Sequence, residues 1–251
     1  MKNTIVIIPA RMGSSRFPGK PLFPIAGKPM IQYCIENAEA ALGRENTYVA
    51  TCDKEIYDFV ESIGSNAVMT ADTHDRASDR TAEAVNIIEE NTGKTYDIVA
   101  MLQGDEPLIS PQMITDACQP LNDDETILVS NLMAKIISVE EFRDPNEVKV
   151  TVDLNNNAMY FSREPVPSLW KLPDEAVMLK QVCIIPFRRD FLDTFNNLPE
   201  TPIERLESVD MMRVLEHGMS VKMMMTEETV YSVDTPEDAE KVETYLKDMA
   251  T

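Results

Sequence analysis

The sequence predicts an α/β chain with a Rossmann-like, mostly parallel central sheet flanked by helices and a smaller inserted antiparallel lobe. Three observations predict it. The chain enters at once a β-branched run, Thr4-Ile5-Val6-Ile7-Ile8, with no polar alternation. Strand and helix signals then alternate as far as Thr70, which is the βαβαβ pattern of a parallel sheet. From Asp144 the pattern changes to period-two alternation, turn residues and prolines.

Each element has a local reason. A continuous β-branched run reads as a strand buried on both faces, and Pro9, unable to donate to a ladder, marks its exit. Pro24 to Pro29 reads as a turn, with Pro29 at the first helical position. Met30, Ile31, Cys34, Ile35, Ala38 and Leu42 recur at helical spacing and Gly43 stops the helix. Thr47 to Thr51 is a second strand. Asp53 stands as a cap before Ile56, Phe59, Val60 and Ile63. Gly64 closes that helix, and Ala67 to Thr70 is a third strand. A helix over 79–91, a buried strand over 96–102, a helix from Ser110-Pro111 to Leu121 and a strand over 126–136 follow.

In the altered region, Val148, Val150 and Val152 alternate with Lys149, Thr151 and Asp153, the period of a half-buried strand. Asn155-Asn156-Asn157 turns it into Ala158 to Ser162 as an antiparallel hairpin. Pro165, Pro167 and Pro173 interrupt regular structure, and Lys180 to Pro186 is strand-like again. Helices over 191–198 and 203–217, a strand over 220–226 and a last helix over 239–249 complete the chain. Met223, Met224 and Met225 read as packing rather than metal ligands. Residues 1–251 are expected to form one domain, with 144–217 as a smaller lobe.

Composition narrows the function. Forty-three acidic residues against 23 basic ones give a net charge of −20. Such a surface does not attract nucleic acid or anionic membranes, so neither is an expected partner. Cys34, Cys52, Cys118 and Cys183 show no C-x-x-C pair and no disulfide spacing, as expected of reduced thiols. The initial apolar run is too short for a signal peptide and no stretch reaches transmembrane length, so the expected location is cytoplasmic.

The loop after the first strand carries the strongest chemical signal. Between Ala10 and Leu22 lie Gly13, Gly19, Ser14, Ser15, Arg11, Arg16 and Lys20. Open α/β sheets bind ligands at the carboxyl edge of their strands, and a Gly/Ser loop with fixed cations can surround phosphates. A nucleoside triphosphate site is one reading, a solvated basic loop the other. Neither the Walker pattern nor the dinucleotide glycine fingerprint occurs, which argues against a dehydrogenase. Gln103-Gly104-Asp105-Glu106-Pro107 ends another strand, so Asp105 is expected at the same edge. There it would serve either as a magnesium carboxylate or as a turn aspartate. Asp234, in Val233-Asp234-Thr235-Pro236, has a complete structural explanation as a helix cap before Pro236.

The order Pro9-Ala10-Arg11-x-x-Ser14-x-Arg16-x-Pro18-Gly19-Lys20-Pro21-Leu22 resembles the signature loop of the sugar-acid cytidylyltransferases, most of all the 3-deoxy-manno-octulosonate (Kdo) cytidylyltransferase family. Gln103 to Pro107 resembles that family's second motif, and Val233 to Asp238 its third. The resemblance implies a nucleotidyltransferase fold and magnesium-dependent transfer of CMP from CTP to a 2-keto sugar acid, with pyrophosphate released. It implies magnesium on Asp105 and Asp234, and the triphosphate on Arg11, Ser14, Arg16 and Lys20. Ala10, Arg80 and Gln103 would read the base, Arg80 within the similar His74 to Glu83 segment. Tyr160, Arg163, Gln181, Glu207 and Asp210 would face the acceptor, and the family's homodimer is implied as well.

Two departures fall on the acceptor side. Where the family carries Lys-His-Leu-Gly-Ile-Tyr, this chain has Lys180-Gln181-Val182-Cys183-Ile184-Ile185, and Val209-Asp210-Met211-Met212-Arg213 stands for Leu-Glu-Gln-Leu-Arg. They leave open Kdo itself, an amino-substituted relative, a nonulosonic acid or a phosphonate. A nucleotide-binding protein without turnover is the reading of a different class.

Overall fold

Side-chain alternation along the first strand sets the layering. The computed structural model describes residues 2–13, 17–171 and 177–249. In β1 (Thr4–Ala10), Ile5 and Ile7 join one apolar cluster, with Val85 and Ile88. Val6 and Ile8 point the other way, into a cluster with Ile31, Ile35 and Ile114. A strand with two apolar faces can only be central, and two layers of helix cover it.

A two-strand ribbon, β2 (Pro24–Ile25) and β3 (Lys28–Pro29), leads into α1 (Met30–Leu42). Then come β4 (Thr47–Thr51), α2 (Lys54–Ser62), β5 (Asn66–Met69), α3 (Ala77–Thr92), β6 (Ile98–Leu102) and α4 (Pro111–Asp123). The α4 cap is as expected: Ser110 Oγ accepts from Met113 N–H at 3.2 Å. The chain continues through β7 (Ser130–Lys135), α5 (Val139–Arg143), β8 (Lys149–Val152), β9 (Ala158–Ser162), β10 (Leu179–Val182) and β11 (Ile184–Arg188). It closes with α6 (Arg189–Asn197), α7 (Pro202–Glu207), α8 (Met211–Glu216), β12 (Lys222–Thr226) and α9 (Pro236–Met249).

The first sheet has the order β11-β6-β1-β4-β5, parallel except for β11 at one edge. The strand runs one residue past Pro9. This is tolerated because β6 pairs only with Thr4 to Ile7, so no ladder bond is required of Pro9 on that side. The second sheet has the order β12-β7-β10-β8-β9, with the Asn156 turn (φ +59°) between β8 and β9. Two of its strands, β7 and β12, lie outside residues 144–217, while β11 lies inside that span and joins the first sheet.

Three expectations are corrected. The strand over 180–186 is two strands: Cys183 alone separates β10 in one sheet from β11 in the other. The helix over 203–217 is two helices, because Ser208 takes a left-handed conformation (φ +53°) that a helix cannot pass through. The strand over 126–136 begins only at Ser130, since Asp124 Oδ1 accepts from both N–H and Oγ1–H of Thr126 and holds a turn there. The three methionines pack as expected, Met223 and Met225 on one face of β12 and Met224 on the other.

A third, smaller apolar cluster does the most for the site. Phe17, Ile25 and Met30 from the beginning of the chain meet Val233, Ala239 and Val242 from its end. Removing this surface from water holds the Val233–Asp238 junction against the first loop. Among the described residues no helix is long and apolar enough to cross a membrane.

Candidate active site

The first loop is shaped by a glycine and an aspartate. Gly19 sits at φ +75°, a conformation that costs any residue with a Cβ, and so turns the chain into Lys20. Met12 is held at both backbone groups: its carbonyl accepts from Gly19 N–H at 3.1 Å and its N–H donates to Asp53 Oδ2 at 2.7 Å. Asp53 was expected to cap α2. Its carboxylate makes no cap hydrogen bond, because it is committed to Met12 across the sheet edge.

Lys20 is the centre of the site. Its Nζ donates to Asp105 Oδ2 at 2.8 Å, to the Val233 carbonyl at 2.8 Å and to Asp234 Oδ1 at 3.4 Å. Burial alone would depress this ammonium's pKa, but the two carboxylates hold it above the usual lysine value. Asp234 is not the cap of α9. Thr235 Oγ1 accepts from Asp238 N–H, and Asp238 Oδ2 reaches back to the N–H groups of Thr235 and Asp234, a reciprocal capping box. Capping thus falls to Thr235 and Asp238, and the Asp234 carboxylate faces Lys20 instead. Val233 N–H also donates to the Asp105 carbonyl at 2.9 Å, which locks the two distant motifs together.

Ala10, Arg11, Lys20, Arg80, Gln103, Asp105 and Asp234 all border one cavity of about 310 Å³ at the carboxyl edge of the first sheet. Ser14 and Arg16 lie outside the described residues. Arg80 is buried rather than a surface arginine. It donates to Thr70 Oγ1 and to the carbonyls of Ala71 and His74, bracing the turn that forms the cavity's far wall. The same wall is oriented by Glu83, whose Oε2 meets His74 Nε2 and accepts from Ala71 N–H.

A second cavity, of about 600 Å³, opens between the two sheets and shares Asp105, Gln103 and Asp234 with the first. Arg163, Gln181 and Asp210 border it. Arg163 is fixed by backbone: Nε, Nη1 and Nη2 donate to the carbonyls of Glu207, Pro145 and Ser208. Tyr160 and Glu207 are turned toward each other, the phenol donating at 3.0 Å. Glu207 also accepts from Ser162 Oγ and Arg163 N–H, so it clamps β9 to the end of α7. Gln181 Nε2 donates to Asn131 Oδ1.

Two residues were not singled out from the sequence. Arg76 borders both cavities, and its guanidinium meets Glu200, Glu204 and Asp210, the last at 2.8 Å. Its sole signal was a charged residue just ahead of α3. Glu106 is buried, its carboxylate accepting from Cys183 N–H at 3.0 Å. Burial and the neighbouring Asp105 push its pKa up to about 8, against the opposing Cys183 hydrogen bond and the charge of Lys180. Its motif position was the available clue.

The donor set fits a hard divalent cation. Asp105 Oδ1 is buried and has no hydrogen-bond partner among the described residues, while Oδ2 accepts from Lys20. An orphaned carboxylate oxygen beside a second carboxylate suits magnesium, which prefers one or two protein oxygens and completes its shell with phosphate and water. No group of three or more His, Cys, Asp or Glu residues able to hold a metal occurs among the described residues.

Residues 5–224 match the family profile described as cytidylyltransferase. The chain is 41% identical over 249 residues to the 3-deoxy-manno-octulosonate cytidylyltransferase of Syntrophotalea carbinolica, covering 96% of this chain and 97% of that one. It is 39% identical over 246 residues to the corresponding protein of Syntrophus aciditrophicus, covering 98% of each. Among solved structures, CMP:2-keto-3-deoxy-manno-octonic acid synthetase complexed with CTP superposes with a TM-score of 0.88 at 36% identity, over 98% of this chain and 99% of that one.

Proposed function

The chain belongs to the cytidylyltransferase family, and on that premise we propose that it transfers CMP from CTP to the anomeric hydroxyl of Kdo or a close 2-keto-3-deoxy sugar acid, releasing pyrophosphate. The observation that carries this reading is the meeting of Lys20, Asp105 and Asp234 where the two cavities join. Nucleotide in the smaller cavity and acceptor in the larger one would approach each other at that junction, as an in-line displacement requires.

The protein's own work is positioning and charge neutralisation. Arg11 and Lys20, with Ser14 and Arg16, hold the triphosphate, and the Lys20 ammonium lies where charge accumulates on the leaving pyrophosphate. Ala10, Arg80 and Gln103 form the base side. Gln181, Arg163 and Asp210 line the acceptor side, with Tyr160 and Glu207 supporting that wall from behind. Asp105 and Asp234 would hold magnesium, which supplies a counter-charge for the phosphate oxygens and polarises them. We propose that residues 144–217 form the sugar side, and that a homodimer joins through it. Exposed apolar side chains there, Trp170, Leu206 and Met159, support this pairing.

One observation favours a second acceptor class. The larger cavity is bordered by more carboxylates than guanidinium groups, which suits an acid that also carries an ammonium. The test is pyrophosphate release with CTP and magnesium against Kdo, its amino-substituted relatives, sialic-type acids and phosphonates, with UTP as control. Turnover of Kdo with CTP and not UTP is expected. Release with no acceptor in the panel would overturn the reading.

A further inference from the structure

A turn and a strand crossover meet at the back of the larger cavity. Cys183 is the single residue between β10 in one sheet and β11 in the other. Its N–H donates to Glu106 Oε1 at 3.0 Å, and its carbonyl accepts from Gln103 N–H at 3.0 Å. The carbonyls on either side, of Val182 and Ile184, accept from Asn131 Nδ2 at 2.7 and 2.9 Å. Where the chain changes sheets, these four backbone groups are thus held by fixed side chains and a turn. Three partners hold it: Asn131, Gln103 and Glu106. Only Glu106 adjoins Asp105, and only it grips the crossover with a side chain from that turn.

The crossover matters because Gln181, two residues earlier, borders the acceptor cavity, while Asp105 borders both cavities. Glu106 is 4% exposed, borders the larger cavity and joins the crossover to the Asp105 turn through its bond to Cys183. A hydrogen bond made by a buried acceptor in such a place has no competing water, so leaving the Cys183 N–H unpaired would be costly. We infer that Glu106 is a positioning residue, fixing the acceptor wall against the Asp105 turn so that acceptor and nucleotide meet at a set separation. This rests on the transfer reaction proposed above.

The test compares E106A, E106D and E106Q with wild type, measuring CTP affinity by calorimetry and the KM for Kdo and kcat by pyrophosphate release. E106Q keeps an oxygen in place to accept from Cys183 N–H, E106D withdraws it by one methylene, and E106A removes it. Leaving the Cys183 N–H unpaired in the interior is expected to raise the acceptor KM about 10-fold or more in E106A, with CTP affinity changed by less than about 2-fold. E106Q should recover most of that loss. E106D, expected to fold even if E106A does not, should show the same split in milder form. Equal changes in CTP affinity and acceptor KM, no change in either, or E106Q as impaired as E106A would each overturn the assignment. If wild type turns over no acceptor, the functional reading fails. Amide exchange at Cys183 then decides the clasp alone: faster exchange in the variants supports it and unchanged exchange overturns it.

Discussion

Replacing Lys20 by methionine tests the centre of the site without reference to turnover. The ammonium lies 2.8 Å from Asp105 and 3.4 Å from Asp234, with side-chain exposures of 12%, 22% and 17% for Lys20, Asp105 and Asp234. Each unit-charge contact near 4 Å carries about 4 kcal/mol of gross attraction at an effective dielectric of 20. Desolvating the ammonium offsets much of that, so the net worth of the triad is far smaller. Removing one partner, however, leaves two carboxylates facing each other without the Lys20 ammonium between them, and such losses cost about 3–5 kcal/mol when buried. Because all three groups keep some solvent, we take the lower end, about 3 kcal/mol. For a chain of this length that lowers Tm by about 6–12 °C.

The sign of the pH dependence follows. Lys20 has a raised pKa in the folded chain, so its contribution is complete below the ordinary lysine value and is lost only as pH rises through the higher folded value. The difference between wild type and K20M should therefore be flat across neutral pH. A divalent cation can replace the missing charge, so magnesium without nucleotide should stabilise K20M more than wild type, by about 1.4 kcal/mol at ten times its Kd. The assay is thermal unfolding followed by circular dichroism, with and without magnesium. A K20M midpoint within about 2 °C of wild type, or identical magnesium shifts in both proteins, would refute the reasoning.

Other predictions concern the neighbours of this triad. D105N should lower turnover by about 10³-fold, several kcal/mol of barrier, while CTP still raises the variant's Tm; loss of that shift would mean that Asp105 acts through the fold. T235A removes one half of the capping box and should cost about 1 kcal/mol, about 2–4 °C in Tm, with a raised KM for CTP as Asp234 loses its fixed approach. Glu204 pairs in the interior with Arg213 at 2.7 Å. Burial alone would raise its pKa, but hydrogen bonds from Arg213 and Thr201 N–H hold it low. Its stabilisation is present above the ordinary glutamate value and lost as pH falls through the folded one, so E204Q should flatten the acid limb of the stability curve. Cys34 and Cys118 are fully buried, the Cys118 thiol pushed up to about 12 by burial. A thiol reagent at pH 8 should leave both unmodified until the chain is denatured.

Much of this protein is written in short-range patterns. The β-branched run of β1, the helical spacing of Met30 to Leu42 and the serine-proline start of α4 specify their own elements, because each depends on neighbours within a few residues. The motif residues Lys20, Asp105 and Asp234 were also legible, since their order along the chain carries the family resemblance. Tertiary structure decided what those side chains do. Asp53 and Asp234 both look like helix caps, as any aspartate does before a helix. Only the folded sheet edge brings Met12 to the first, and only the Phe17–Val242 cluster brings Lys20 to the second. The unbroken apolar run around Cys183 could not reveal a change of sheet, because the strand signal is the same on either side; the change depends on Asn131 and Glu106, far away in sequence. Arg80 and Arg163 could have been solvated, and what buried or tied them was a set of backbone carbonyls that no sequence displays. Sequence determined where the chain is strand, helix and loop, and which residues stand at the sheet edge. Which of their charged atoms remain directed at the cavities was set by long-range hydrogen bonds, which exist only once the two sheets and the last helix have packed.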